Sequence, residues 1–170
     1  MPVTAPPPGD GGTAPWEAIR MSDLYVLTPG APAPAPEPPP AFEHPNATLL
    51  RDGYTAFARG DMDLIRALLA DDVVHRVPGR GPVCGEYRTP EEVLGFYVRL
   101  FELSGGTFRA EPYSIMADDG HGAALVRIRA ERPGRVLDGR GVDLFRIRDG
   151  RITEIRTLAE DQHAADAFWS

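Results

Sequence analysis

Asp143 interrupts an apolar run, Val142-Asp143-Leu144-Phe145. A carboxylate inside such a run must be paired, neutral or solvated, because an unpaired buried charge is costly. Two readings stand for it. Either it is a strand-end aspartate paired with Arg140 or Arg127, or it is a carboxyl group held in an apolar pocket for proton chemistry. His75, in the β-branched stretch Val73-Val74-His75-Arg76-Val77, is the second candidate. An imidazole titrates near neutral pH and suits proton abstraction or return. The alternative is a buried, hydrogen-bonded histidine that serves structure. Tyr54 and Tyr97 lie on apolar helix faces and are either core residues or phenolic donors. Asp161, in Glu160-Asp161-Gln162-His163, either closes the rim of a pocket or belongs to a solvated C-terminal segment.

Other chemistries find little support. The four histidines show no i, i+4 pairing, and the single cysteine rules out a cysteine-based zinc site, so no metal is expected. Cys84 has no evident histidine partner. Gly79–Gly85 lacks the Lys-Ser/Thr of a phosphate loop. All 18 basic residues are arginine, which excludes a lysine Schiff base. Arg127, Arg129 and Glu131 share a strand face and read as a surface ion-pair ladder. No cofactor is expected.

The elements that must position these residues are legible from caps and periodicity. Asn46 is placed to cap a helix carrying Leu49, Leu50, Tyr54 and Phe57, which Gly60 ends. Asp61 caps a second helix with Met62, Ile65, Leu68 and Leu69. Val73–Val77 is a short strand stopped by Pro78. Thr89-Pro90-Glu91-Glu92 starts a helix that runs to about Leu103. Four strands follow, 107–116, 123–132, 136–148 and 151–159, with turns at 118–120, 133–134 and 149–150. A short helix closes the chain within 160–169. Strand alternation puts Val73, His75 and Val77 on one face, Asp143, Phe145 and Ile147 on one, and Ile155, Thr157 and Ala159 on one.

Composition divides the 170 residues in two. Residues 1–45 are rich in proline, alanine and glycine and read as a solvated extension. An apolar island, Trp16–Leu27, interrupts it as a surface segment, a lid or a docking segment. Residues 46–170 are expected to be one domain. The net charge of −7 and the lack of a basic patch argue against nucleic acid as partner. The absence of a long apolar run or a secretory signal leaves no membrane association and a cytoplasmic location as the expectation.

Three segments together carry a family resemblance: Gly60-Asp61 followed by Leu68-Leu69-Ala70-Asp71-Asp72, the loop Pro78–Gly85 leading into the Thr89 helix, and Asp143–Ile155. In this order they resemble the nuclear transport factor 2-like superfamily, which includes ketosteroid isomerases, limonene epoxide hydrolases and SnoaL-type polyketide cyclases. The resemblance implies an α+β cone: a curved antiparallel sheet with three to four helices on its concave face, enclosing an apolar pocket. It also implies a homodimer formed through the sheet. Asp143 falls where the isomerases hold a protonated oxyanion-hole aspartate. Their catalytic base would fall near Val77, so that base is missing and His75 stands two residues away. Their oxyanion tyrosine would fall at Gly53, next to Tyr54. The Arg-x-Asp and second Asp of the epoxide hydrolases are not reproduced, since Thr157 occupies the latter position.

The expectation is a cofactor-independent enzyme acting on a hydrophobic oxygenated metabolite by general acid/base chemistry. Isomerisation, cyclisation, dehydration and epoxide opening all fit, and polyketide-type secondary metabolism is the implied setting. His75, Asp143 and Asp161 are its expected catalytic residues, with His75 and Asp143 facing each other across the pocket. Tyr54, Val77, Tyr97, Phe145 and Thr157 are its expected substrate contacts. The rival expectation is a non-catalytic ligand-binding or dimerisation domain, and a third is a regulatory protein whose extension recruits a partner. A pocket filled by Phe145, Tyr97 and Phe108 favours binding or assembly. An open one with converging polar groups favours an enzyme.

Overall fold

Helix starts sit where local hydrogen bonding favours them. The computed structural model describes residues 43–170, so the expected extension and its Trp16–Leu27 island lie outside the described residues, apart from its last few residues. The first helix, α1 (Pro45–Arg59), opens on a proline in its first turn. Its cap is His44, whose Nδ1 accepts the Asn46 N–H at 3.1 Å. Asn46, the expected cap, instead donates from Nδ2 to the carbonyls of Asp118 and Asp119, tying α1 to a distant turn. Gly60 ends α1 with a left-handed backbone, φ 71°.

Asp61 caps α2 (Met62–Leu68) by accepting the Leu64 N–H at 3.0 Å. The helix stops one residue earlier than its apolar spacing implies. Leu69 is recruited to β1 (Leu69–Val77), where it pairs with Ile152 and is almost fully buried. A three-residue strand, β2 (Gly85–Tyr87), then pairs antiparallel with β1 inside a region expected to be loop and linker. Three residues are too few to display a period-2 pattern. α3 (Pro90–Leu103) is capped by Thr89, as expected, with Pro90 in its first turn. β3 (Arg109–Ala117), β4 (His121–Arg132), β5 (Arg135–Arg148) and β6 (Arg151–Ala159) form the meander, and α4 (Gln162–Trp169) closes the chain.

The six strands make one curved sheet in the order β2-β1-β6-β5-β4-β3. All neighbours are antiparallel except β1 and β6, which run parallel. The sheet is therefore mixed rather than antiparallel throughout. The chain leaves β1, passes through β2, α3 and the strands β3, β4 and β5, and returns as β6 beside β1 in the same direction.

The side chains of Leu50, Leu69, Val73, Val93 and Val126 are the large ones most completely removed from water. They lie where α1, α2 and α3 meet the sheet. Gly122 makes that approach possible, because a Cβ there would meet Leu50 Cδ1 at 2.5 Å. Among the described residues no helix is long and apolar enough to cross a membrane.

Candidate functional site

The core is not filled. A cavity of about 170 Å³ remains between the helices and the sheet. Its wall is aromatic and aliphatic, including Phe57, Phe96, Phe108, Phe145 and Trp169. A void of about 150 Å³ lined by such residues takes up one benzene, so the space suits a single ring. Among the described residues no arginine lines it.

Against this apolar wall the strands place one polar cluster. Asp143 on β5 pairs directly with Thr157 on β6, and His75 on β1 pairs with Ile155 on β6, so all three side chains stand on the inner face. Thr157 Oγ1 donates to Asp143 Oδ1 at 2.6 Å. The Tyr54 hydroxyl, from α1, donates to Asp143 Oδ2 at 2.5 Å. His75 Nε2 lies 3.0 Å from Thr157 Oγ1. His75 Nδ1 is buried without a hydrogen-bond partner. Tyr97 from α3 completes the cluster, and its ring meets His75 edge-on with centroids 5.9 Å apart.

Burial sets the electrostatics. It pushes the Asp143 carboxyl above the usual carboxylate range, and the bonds from Thr157 and Tyr54 only partly offset it. Burial pushes His75 down to about 3, so its imidazole is neutral. The Tyr54 and Tyr97 phenols are raised, first by burial and then by the nearby Asp143. A buried carboxyl group, two buried phenols and a neutral imidazole therefore share one wall of a largely apolar cavity. Such a set can hold a proton, donate it, or steady a developing oxyanion.

Tyr54, Val77, Tyr97, Phe145 and Thr157 all line the cavity, as do His75 and Asp143. The arrangement of the last two differs from the expectation. They do not face each other across the cavity; they stand on one wall with Thr157 between them. Among the described residues Asp143 has no arginine partner; Arg127 is held outside by Asp138, at 2.9 and 2.7 Å. Asp161 is a correction. It does not reach the cavity, because its carboxylate accepts the Ala164 N–H at 2.9 Å and caps α4. Cys84 lines one end as a protonated thiol, pushed up by burial, with its Sγ accepting the Gly81 N–H. No group of three or more His, Cys, Asp or Glu side chains placed to hold a metal ion occurs among the described residues.

The sequence reading missed the far end of the wall. Gln162, Ala165 and Trp169 of α4 close the cavity beside Pro78 and Cys84. Gln162 Nε2 donates to Pro78 O, and Asp166 accepts the Arg80 N–H, so helix and loop are tied together. The available signal was the apolar pair Phe168-Trp169 ending a short capped segment.

Comparison with known proteins agrees with this architecture. Residues 50–155 match the family described as the SnoaL-like domain. An uncharacterized protein of Mycobacterium tuberculosis is 32% identical over 123 residues, 72% of this chain and 94% of its own length. The structure of Bal32a, from a soil-derived mobile gene cassette, superposes with a TM-score of 0.72 at 32% identity, covering 74% of this chain and 97% of that one. A Xanthomonas campestris protein of unknown function with a cystatin-like fold gives 0.68 at 31% identity, covering 72% and 96%. Another from the same species, described provisionally as a polyketide cyclase, gives 0.57 at 25% identity, covering 73% and 96%.

Proposed function

Because the chain belongs to the SnoaL-like family of the nuclear transport factor 2-like superfamily, we propose that it is a cofactor-independent acid–base enzyme for a small, neutral, oxygenated ring compound. The observation that carries this reading is the polar cluster itself: Tyr54, Asp143, Thr157 and His75 converge on one wall of an otherwise apolar cavity. A core that served packing alone would gain nothing from four linked polar groups, each with a desolvation cost.

The chemistry follows from which groups remain free. Asp143 is engaged at both oxygens, by Tyr54 and Thr157. His75 Nδ1 is buried without a partner, and both His75 and Tyr97 line the cavity. A substrate carbonyl oxygen would accept from Tyr97 while His75 removes a proton from the adjacent carbon. Returning that proton at another atom is an isomerisation. Using the enolate carbon to attack a second carbonyl of the same molecule is a cyclisation. The cavity size sets a limit of about one ring. With no cation among the described lining residues, carboxylates and phosphates are disfavoured, because their burial beside Asp143 would go uncompensated.

The test is deuterium wash-in to enolisable monocyclic ketones in D2O, read by NMR. Exchange should depend on the protein and fall about 10²–10⁴-fold in Asp143→Asn or His75→Gln, the usual weight of a positioned proton-transfer group. Exchange no faster than buffer across a panel of such ketones would contradict the reading, as would undiminished exchange in both variants.

A surface feature supports a second role beside this one. Val142 lies directly between Leu125 and Leu158 on the outer face of the sheet, and Leu144 follows on the same face. Leu144 and Leu158 are each 40% exposed. We propose that two copies of the chain pair through this stripe.

A further inference from the structure

Thr157 has one hydroxyl hydrogen and two neighbours that compete for it. When Asp143 is ionised, both of its oxygens need donors, and Tyr54 and Thr157 supply them at 2.5 and 2.6 Å. The Thr157 oxygen must then accept from His75, whose Nε2 is 3.0 Å away and so carries the hydrogen. Nδ1 is left as a bare lone pair without a partner. When Asp143 is neutral, the arrangement reverses. The carboxyl O–H on Oδ1 donates to Thr157, Thr157 donates to Nε2, and the imidazole hydrogen sits on Nδ1. Tyr54 donates to Oδ2 in both states.

We propose that the Thr157 hydroxyl is a proton relay: a proton taken up at His75 Nδ1 is stored on Asp143, and the imidazole changes tautomer without remaining charged. This rests on the proposed acid–base function and assigns its proton port and its proton store to different residues.

The step balances. A proton bonds to Nδ1, the Nε2–H proton moves to Thr157 Oγ1, and the Thr157 hydroxyl proton moves to Asp143 Oδ1. Three bonds form, Nδ1–H, a new Thr157 O–H and the Asp143 O–H, and three break, the substrate C–H that supplies the proton, Nε2–H and the original Thr157 O–H, with the substrate carbon keeping the C–H electron pair. The net change is neutralisation of the carboxylate. The surroundings favour this over a stored imidazolium. His75 is packed by Phe96 and Tyr97 of α3 and by Tyr87 of β2. Asp143 faces Tyr54 of α1, Thr157 of β6 and, more distantly, Tyr97. The titratable groups in that set other than His75 and Asp143 are phenols, all raised by burial. A charged imidazole there would have no fixed counter-ion except Asp143, which the relay discharges.

The test needs no substrate. It uses the full chain with 15N-labelled histidine and 13C-labelled aspartate, titrated by NMR. The Asp143 carboxyl carbon reports its charge, and the two His75 nitrogens report the tautomer. The relay requires matched pairs: ionised Asp143 with Nε2–H, and neutral Asp143 with Nδ1–H. Thr157→Val, which keeps the shape and removes the hydroxyl, should abolish the match. Thr157→Ser should keep it, which separates relay from packing. Asp143→Asn, whose amide can donate to Thr157, should fix Nδ1–H at every pH. A neutral Asp143 with Nε2–H, an ionised one with Nδ1–H, or correct matching in Thr157→Val would overturn the proposal. These outcomes are independent of ketone exchange. A failed match beside Asp143-dependent exchange removes the relay and leaves the enzyme reading intact.

Discussion

His75 shows how a single buried residue can be both a liability and a tool. The unfolded chain takes up a proton on this imidazole near pH 6.5, whereas the folded chain resists until about pH 3. Between those values the unfolded state binds the extra proton, so stability falls as pH falls. Asp143 has the opposite sign. Its raised value means that the folded state keeps a proton the unfolded state has lost, so its contribution falls as pH rises from the ordinary carboxylate range. Comparison with a variant isolates the histidine. As pH drops from 6.5, His75→Gln should gain on the wild type by about 1.4 kcal/mol per pH unit in denaturant unfolding. Parallel pH profiles for the two proteins would mean that His75 is not held neutral. At this scale much of the site was legible. A lone aspartate between Val142 and Leu144, and a histidine in phase with Val73 and Val77, are anomalies that alternation exposes. The bridge by Thr157 was not, because a threonine in a strand is unremarkable until its two neighbours are known.

Elements decide which of these anomalies reach the cavity. Asp161 has the right chemistry for a rim carboxylate, yet it follows the last strand at a helix start, where free N–H groups claim it. The two readings taken from sequence were a rim carboxylate and a solvated C-terminal segment, and neither gave Asp161 the cap it forms. Asp161→Ala should therefore cost about 1 kcal/mol, read as a loss of about 4 °C in Tm, while Asp143-dependent proton exchange persists. Loss of exchange with an unchanged Tm would restore Asp161 to the site. The boundary shifts have similar causes. Leu69 has a helical neighbour pattern on one side and a strand partner, Ile152, on the other, and the partner wins. β2 exists because β1 offers an edge beside it, which no local pattern announces.

Among the described residues the sheet separates an inner face that carries the polar cluster from an outer face that carries an exposed apolar stripe. Both come from one alternation: Asp143 and Phe145 point inward, and Val142 and Leu144 point outward, along the same strand. The parallel pairing of β1 with β6 is what brings His75 beside Thr157, and it depends on the path of the whole chain rather than on any segment. The outer stripe should make the protein elute in light-scattering chromatography at twice the chain mass, and Leu144→Glu should reduce it to one chain with the His75 and Asp143 signals unchanged. A wild-type monomer would remove the pairing and leave the cavity chemistry untouched.

In the proposed function a carboxyl group held in an apolar pocket serves as a reservoir for one proton. The most direct measurement is the titration of the Asp143 carboxyl carbon by NMR in the full chain, with Asp143→Asn to assign the signal. The midpoint should lie well above that of the exposed aspartates and move higher in Tyr54→Phe, because one bond that favours the ionised form is lost. A midpoint at or below the ordinary aspartate value would contradict that role, since Asp143 would then be a permanent charge and no proton would be stored.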